Sequence, residues 1–256
     1  LVVHDTPYII DFGPGLIRRS ASMSPTYGGK MAALETHKLK TAFLTHLHSD
    51  HTSGYADLIL TPWVMGRNVA MEVYGPVGIG HMTDHILKAY QEDIRYRVYG
   101  DEPTNDEGWR VNWHEFNKEG EIFRDSNILV EAFPVIHGSW PNAWGFRFTT
   151  PDRVIVISGD CKPSPRLVEY AQGADILVHE VYSQAGFETK SEDWKAYHRV
   201  HHTSTLELAE IAKKTAPGKV VLYHILFWGS SEEELLQEIR TVYSGEVIVG
   251  KDLDIF

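Results

Sequence analysis

Thr45-His46-Leu47-His48-Ser49-Asp50-His51 contains four metal-capable side chains within six residues. The apolar residues 41–45 lead into it and are rich in types that favour β-structure, which predicts a buried strand. Residues 55–60 follow and are predicted to be helical. The metal-capable side chains therefore fall on a loop that leaves a strand end, where catalytic groups commonly lie.

The residue types in this stretch suit a divalent transition metal. Neutral imidazole and carboxylate groups bind zinc and similar ions at about 2.0–2.2 Å. His46 and His48 are two residues apart, so they point the same way from an extended backbone. Asp50 and His51 follow after the chain has turned and reach a second point in space. A lone His-x-His pair indicates only a polar surface, but the full pattern after an apolar strand predicts a metal site.

The composition is that of an ordinary globular protein with an acidic surface. Hydrophobic residues make up 43% of the chain and charged residues 23%. A chain of 256 residues buries a large core, as one large domain or two fused half-domains. The formal net charge of -11 repels phosphate polyanions, which argues against nucleic acid as a partner.

Cysteine content and hydropathy argue against a disulfide-bonded protein and a membrane protein. Cys161 is the only cysteine, so an internal disulfide is excluded. No apolar run reaches about 18 residues, and no signal peptide is visible, so we predict neither a transmembrane helix nor a membrane partner. The expected location is the cytoplasm. Because the chain begins at Leu1 rather than Met, a leader sequence before Leu1 is the alternative.

Predicted strands alternate with predicted helices in both halves of the chain, which indicates the α/β class. The predicted strands are residues 1–3, 8–12, 69–76, 128–136, 143–149, 153–158, 175–178 and 219–223. The predicted helices include residues 79–97, 165–172, 204–215 and 231–243, the last two capped by Thr203 or Ser204 and by Ser230 or Ser231. Four of the strands run directly into His137, Asp160, His179-Glu180 and His224.

These motifs resemble the metallo-β-lactamase superfamily, and most of all its ribonuclease Z branch. The matching segments are residues 43–51, Gly75-Pro76, residues 157–160, His179-Glu180 and His202-Thr203-Ser204. The resemblance extends over essentially the whole chain. It implies an αββα sandwich, in which two β-sheets are flanked by helices, as a single domain over residues 1–256. That domain would have two pseudo-symmetric halves, roughly 1–126 and 127–256, and would form a homodimer.

The resemblance also implies a dinuclear zinc centre, with Mn²⁺ or Fe²⁺ as alternative ions. The implied ligands are His46, His48 and His137 for one ion, Asp50, His51 and His224 for the other, and Asp160 as the bridge. The chemistry agrees, because two neighbouring cations need a bridging anion and together lower the pKa of a bridging water toward about 7. Asp50 would orient the resulting hydroxide. His48 favours hydrolysis, since a redox di-iron relative is expected to have Glu there.

Hydrolysis also needs a proton for the leaving group. The resemblance assigns that proton to His202, oriented by Glu180, because a carboxylate can hold an imidazole in its protonated form. His201 is the alternative donor, and an ordinary surface pair is the structural alternative for Glu180 and His202.

Several neighbouring residues are expected to lie outside the site. His179 and Cys161 adjoin Glu180 and Asp160 and would point the other way along an extended chain. His198 is not expected to be a ligand. His81 and His85 are expected on a helix surface. Asp11, before Gly13-Pro14-Gly15, is expected to make a turn, with a place near the site as the alternative.

Two features depart from the ribonuclease Z pattern. No Lys-rich arm for gripping tRNA is found, and residues 100–126 are acidic instead. After His224 the chain reads Ile225-Leu226-Phe227-Trp228-Gly229, where a Ser-Arg type phosphate-binding segment is usual. Together with the net charge of -11, these features disfavour tRNA as the partner.

The sequence therefore predicts a dinuclear zinc-dependent hydrolase whose metal-bridging hydroxide attacks a small-molecule ester or phosphodiester. The aromatic residues near the proposed ligands either line an apolar substrate pocket or pack in the core; they are Trp140, Trp144, Phe227 and Trp228. The alternative activities are a ribonuclease Z-type tRNA 3′ endonuclease and a lactonase, β-lactamase or arylsulfatase. A non-enzymatic metal-binding protein is the remaining alternative, against which the intact Glu180 and His202 pair argues.

Overall fold

The computed structural model describes residues 1–256, which fall into two compact units. The first unit comprises Leu1–Asn117 with Ile255, and the second comprises Lys118–Asp254 with Phe256. Each unit contains one β-sheet and its own helices. The predicted class, a mixed α/β protein with two sheets flanked by helices, is confirmed. None of the helices is long and apolar enough to cross a membrane.

The first unit has a five-stranded sheet in the order β1-β2-β3-β4-β5. Its strands are β1 Val2–Val3, β2 Thr6–Ile10, β3 Thr41–Phe43, β4 Met71–Pro76 and β5 Val111–Phe116. Its helices are α1 Leu16–Ser22, α2 Ser49–Thr52, α3 Tyr55–Val64, α4 Ile79–Ala89 and α5 Gln91–Tyr99, with 3₁₀ turns at Pro25–Tyr27, Ala32–Leu34 and Thr36–Lys38. The single helix predicted over residues 79–97 is in fact two helices, which meet at Tyr90.

Strands β2 to β5 run parallel, so their carboxyl ends lie at one edge of the sheet. Apolar side chains of β3 and β4, including Ala42 and Val73, pack against Leu58 and Trp63 of α3 in one buried cluster. This packing fixes the strand ends, so that the loops after β2 and β3 leave the sheet side by side.

Arg67 is fully buried in the first unit and donates only to backbone carbonyls. Its guanidinium lies 2.9 Å from Leu39 O, 3.2 Å from Leu58 O, 2.5 Å from Ile59 O and 2.9 Å from Gly108 O. Pro62 lies inside α3 and has no N–H for the carbonyl of Leu58, so Arg67 supplies the missing donor. Burial lowers the pKa of Arg67 to about 10, which leaves it charged at neutral pH.

Replacing Arg67 with methionine should lower the free energy of unfolding by about 3–5 kcal/mol, because several buried carbonyls lose their donor. Urea unfolding followed by circular dichroism measures this change. Arg95→Met is the matched control: Arg95 is exposed and pairs with Glu92 at 3.0 Å, so its loss should cost under about 0.5 kcal/mol. Equal unfolding midpoints for the two variants would contradict the structural role of Arg67.

The second unit has a seven-stranded sheet in the order β12-β11-β10-β9-β8-β7-β6. Its strands are β6 Gly120–Arg124, β7 Leu129–Pro134, β8 Trp144–Thr149, β9 Val154–Ile157, β10 Ile176–Tyr182, β11 Lys219–Leu226 and β12 Val247–Val249. Its helices are α6 Pro165–Ala171, α7 Gln184–Glu188, α8 Glu192–His201, α9 Thr205–Thr215 and α10 Glu232–Arg240. Strands β6 to β9 are antiparallel, whereas β9 to β12 are parallel.

The parallel strands of this sheet bring the polar groups at their carboxyl ends together. The carboxyl ends of β9, β10 and β11 meet at one edge, which brings Asp160, Glu180 and His224 together. The predicted helix caps are also confirmed. Ser204 of α9 and Ser231 of α10 each form a capping box with a glutamate three residues on. Helices α7 and α8 were not predicted, and α8 has no buried residue.

Candidate metal centre

The first unit brings its four metal-capable side chains together beyond the end of β3. His46 and His51 are buried, His48 is half-buried and Asp50 is exposed. The nitrogen atoms His46 Nε2 and His48 Nδ1 lie 2.9 Å apart, and the rings of His46 and His51 are 4.2 Å apart. His51 Nε2 lies 3.6 Å from Asp50 Oδ2. This first-unit cluster offers three imidazoles and one carboxylate, a donor set that suits zinc, manganese or iron.

Asp11 holds this cluster in place, a role that the sequence did not predict. Its backbone φ of 55° is that of a turn residue. Its carboxylate, however, accepts hydrogen bonds from Thr45 N at 2.8 Å and from Thr45 Oγ1 at 2.9 Å. His51 Nδ1 lies 2.7 Å from Asp11 Oδ2 and must donate, because a carboxylate only accepts. The proton on Nδ1 leaves the lone pair of His51 Nε2 to bind a metal.

Asp11→Asn should weaken zinc binding by about 10–100-fold while the chain stays folded, as expected when a carboxylate behind a ligating histidine is lost. Competition against a chromophoric chelator measures the affinity. Asp5→Asn is the matched control, since Asp5 is exposed and has a similar backbone φ of 60°. Unchanged zinc affinity in the Asp11 variant would show that its carboxylate does not support a metal ligand.

The second unit gathers a second set of buried polar side chains. The members of this second-unit cluster are His137, Asp160, Glu180, His202 and His224. His224 Nε2 lies 3.4 Å from Asp160 Oδ2, and His202 Nδ1 lies 4.0 Å from the same oxygen. Two groups of three have donor atoms within 4.8 Å of one another, namely His137-Asp160-His202 and Glu180-His202-His224. Nitrogen and oxygen donors at this spacing fit a divalent cation.

His224 enters this cluster through an irregularity in the sheet. The register between β10 and β11 shifts after Glu180, which pairs with Tyr223, whereas Val181 pairs with Ile225. His224 is therefore the extra residue of a β-bulge, and its backbone φ is 46°. Bulges of this kind redirect a side chain, and the sequence alone does not reveal this one.

His137 is oriented by the backbone at the end of α8. Its Nδ1 donates to His201 O at 2.8 Å, because a carbonyl oxygen can only accept. The Nε2 lone pair is then available to a metal. The His201 side chain has a different environment, with Nδ1 donating to Tyr197 O at 2.8 Å and its ring stacked on Tyr197 at 3.9 Å.

Glu180 is fully buried and its Oε1 accepts three hydrogen bonds. The donors are Cys161 N at 3.1 Å, Thr203 N at 3.1 Å and His202 Nδ1 at 3.3 Å. Burial raises the pKa of Glu180 well above its usual range, and the nearby charge of Asp160 raises it further. Of the two adjacent histidines, His202 and not His201 lies beside Glu180, so the predicted pair is not a surface pair.

Cys161, His179 and His198 are not among the metal-capable groups of the two clusters. Cys161 is buried among Leu167 and Leu177, where burial raises the pKa of its thiol. His179 is buried with Nδ1 donating to Glu180 O at 2.6 Å, and burial lowers its pKa to about 4. Burial also lowers the pKa of His198 to about 4, so its ring is neutral at pH 7.

The four aromatic residues near the proposed ligands do not form one pocket. Trp144 is buried, and Trp140 packs against an apolar cluster that includes Phe133. Phe227 packs against the cluster formed by α9 and α10. These three residues therefore pack in the core, as one of the two alternatives predicted. The Trp228 ring instead lies 4.4 Å from the ring of His198.

Comparison with known proteins is consistent with this geometry. The model of a beta-lactamase superfamily domain matches residues 6–225. Ribonuclease Z of Mycobacterium marinum is 28% identical over 251 residues, which cover 96% of this chain and 86% of that protein. The metallo-β-lactamase fold protein YhfI of Bacillus subtilis aligns with a TM-score of 0.68 at 20% identity, over 97% of this chain and 86% of that one. Human tRNase Z, short form, aligns with the same TM-score of 0.68 at 21% identity, over 99% of this chain and 89% of that one.

Proposed function

The chain belongs to the beta-lactamase superfamily and is a metal-dependent hydrolase, and we propose that it cleaves a small phosphodiester with the aid of two metal ions. The observation that carries the proposal is the second-unit cluster, where a buried Glu180 holds His202 Nδ1 at 3.3 Å beside Asp160. Hydrolysis of a diester needs a group that protonates the leaving oxygen, and a carboxylate-held imidazole is such a group.

The proposed dinuclear centre uses the ligand set that the sequence predicts. Each cluster by itself has the donor types for metal, namely imidazole and carboxylate. The proposed assignment is His46, His48 and His137 to one ion, Asp50, His51 and His224 to the other, and Asp160 to both. Zinc is the proposed ion, with manganese or iron as alternatives. When bound, two such cations supply a water of lowered pKa and polarise the phosphoryl oxygen.

The side chains of this protein would divide the remaining work. Asp50, exposed at the start of α2, would orient the attacking water as well as bind metal. Glu180 would fix the imidazole of His202, and His202 Nε2 would carry the proton that passes to the leaving oxygen. Because His202 Nδ1 faces Glu180, its Nε2 is the nitrogen left for this transfer.

A small diester is favoured over RNA because of charge. The chain carries a net charge of -11, and residues 100–126 are acidic where a basic arm would be needed. The second candidate is a tRNA 3′ endonuclease, favoured by 28% identity to ribonuclease Z of Mycobacterium marinum across 96% of this chain. Lactones, β-lactams and sulfate esters remain substrates to test if neither kind of diester is cleaved.

Turnover of bis(p-nitrophenyl) phosphate and of a precursor tRNA, measured on the same zinc-loaded preparation, tests the proposal. We expect hydrolysis of the small diester and no tRNA cleavage at physiological salt. Efficient, salt-sensitive cleavage of the tRNA would instead establish the second candidate. A protein that binds metal but cleaves no ester would be a metal-binding protein without this activity.

A further inference from the structure

Helix α8 carries large aromatic side chains on its exposed face. The helix contains no fully buried residue, although Lys195, His198 and His201 are half-buried, and Trp194 is 56% exposed and Tyr197 40% exposed. A contiguous patch of exposed aromatic groups, unlike scattered ones, is typical of a binding site. The helix ends at His201, directly before His202, so this surface leads to the proposed proton donor.

The rings of this region form one continuous surface, here called the α8 ring surface. Its members are Trp194, Tyr197, His198, His201 and Trp228. Trp194 stacks on His198 with ring centroids 5.5 Å apart at 22°, and Tyr197 stacks on His201 at 3.9 Å and 18°. The surface reaches the second-unit cluster at two points. The rings of His198 and His202 are 5.6 Å apart, and those of His201 and His137 are 5.1 Å apart.

Positive charge lies next to these rings, although the chain as a whole is acidic. Lys190 Nζ lies 4.7 Å from the centroid of the Trp228 ring, a cation–π contact. The guanidinium of Arg199 lies over the Phe187 ring instead, and Glu192 and Asp193 begin the helix, so Lys190 is the cation that contacts the surface. A surface that combines stackable rings with an ammonium group suits a ligand with both an aromatic ring and a phosphate.

We infer that the α8 ring surface is a subsite for a nucleobase, which stacks on Trp194 and Tyr197 while the adjoining phosphodiester reaches His202. The inference rests on the proposed function and names the substrate class as a nucleotide ester. Base stacking on aromatic side chains does not depend on the identity of the base, so either purines or pyrimidines fit. The combination of stackable rings with an ammonium group favours a nucleotide over a second copy of this chain as the occupant.

Isothermal titration of the metal-free protein with adenosine 5′-monophosphate and with ribose 5-phosphate tests the subsite without turnover. The two probes differ only in the base. We expect the nucleotide to bind about tenfold more tightly than the sugar phosphate, which is in the range measured for a stacked base. The double variant W194A/Y197A should bind the two equally, whereas W194F/Y197F should keep the preference. Tyr96→Ala, at a 64% exposed tyrosine on α5, is the matched control and should change nothing.

Steady-state kinetics of the zinc-loaded protein separate this inference from the proposed function. Thymidine 5′-(p-nitrophenyl phosphate) and methyl p-nitrophenyl phosphate share one leaving group, and W194A/Y197A should lose about tenfold in kcat/KM for the first only. Equal binding of both titrants to the unchanged protein would overturn the subsite, whether or not the diesters are hydrolysed. A dimer that dissociates in the double variant, with no base preference, would also overturn it and assign the surface to a second copy. A base preference in a protein that hydrolyses neither diester would support the subsite and refute only the proposed activity.

Discussion

Asp160→Ala is expected to lose bound metal and hydrolytic activity together. Asp160 is 3% exposed, its Oδ2 lies 3.4 Å from His224 Nε2, and it is the proposed bridge between the two cations. We expect the zinc content to fall from two ions to one or fewer per chain. We also expect kcat/KM for bis(p-nitrophenyl) phosphate to fall by about 10⁴-fold, since two-metal stabilisation contributes several kcal/mol. Elemental analysis and initial rates on the same preparation measure both quantities.

The control for this variant is Asp152→Ala in the same unit. The Asp152 side chain is 77% exposed and pairs weakly with Arg153 at 3.8 Å, so its loss should change neither metal content nor rate. If Asp160→Ala kept two zinc ions per chain, the bridging role would be wrong. If it lost metal and yet kept its rate, the hydrolysis would not depend on the metal centre.

His202→Ala is expected to keep both metal ions but to lose rate, by about 10²–10⁴-fold, the usual contribution of a general acid. The loss should be greatest for a poor leaving group, because a good one departs without a proton. A series of aryl methyl phosphates from p-nitrophenyl to phenyl measures this dependence as the slope of log kcat/KM against leaving-group pKa. The slope should become steeper in the variant.

Two further histidine variants serve as controls for His202→Ala. His81→Ala, on the exposed surface of α4, should leave rate and slope unchanged. His201→Ala removes the adjacent imidazole, whose Nδ1 bonds to Tyr197 O rather than to Glu180, so its slope should match that of the unchanged protein. A His202 variant with an unaltered slope would refute the proton-donor assignment. A variant that loses zinc would place His202 among the metal ligands instead.

Short sequence patterns were sufficient to predict many of the strands and helices and the residues of the first-unit cluster. The strand at β3 and the motif after it share one short segment, so their proximity needs no knowledge of the rest of the chain. The caps at Ser204 and Ser231 were equally visible, because a serine followed three residues later by glutamate is itself the capping signal.

Contacts between residues that are far apart in the chain could not be predicted from the sequence. Asp11 reaches His51 across 40 residues of sequence, and only the parallel pairing of β2 with β3 brings the two loops together. The bulge at His224 depends on how β11 pairs with β10. Arg67 reads as an ordinary surface cation in the sequence, and its burial follows from carbonyls supplied by α3 and by Gly108. Helix α8 is a different case, because its apolar residues recur at helical spacing and the helix was still not predicted.

Stepwise titration of the metal-free protein with zinc, with the rate of bis(p-nitrophenyl) phosphate hydrolysis measured at each step, tests the proposed dinuclear hydrolase most directly. We expect no hydrolysis without metal and a rate that reaches its maximum at two equivalents of zinc per chain. Asp152→Ala should show the same stoichiometry, and Asp160→Ala should lose at least one equivalent. Full activity at one equivalent, or hydrolysis by the metal-free protein, would contradict the dinuclear centre.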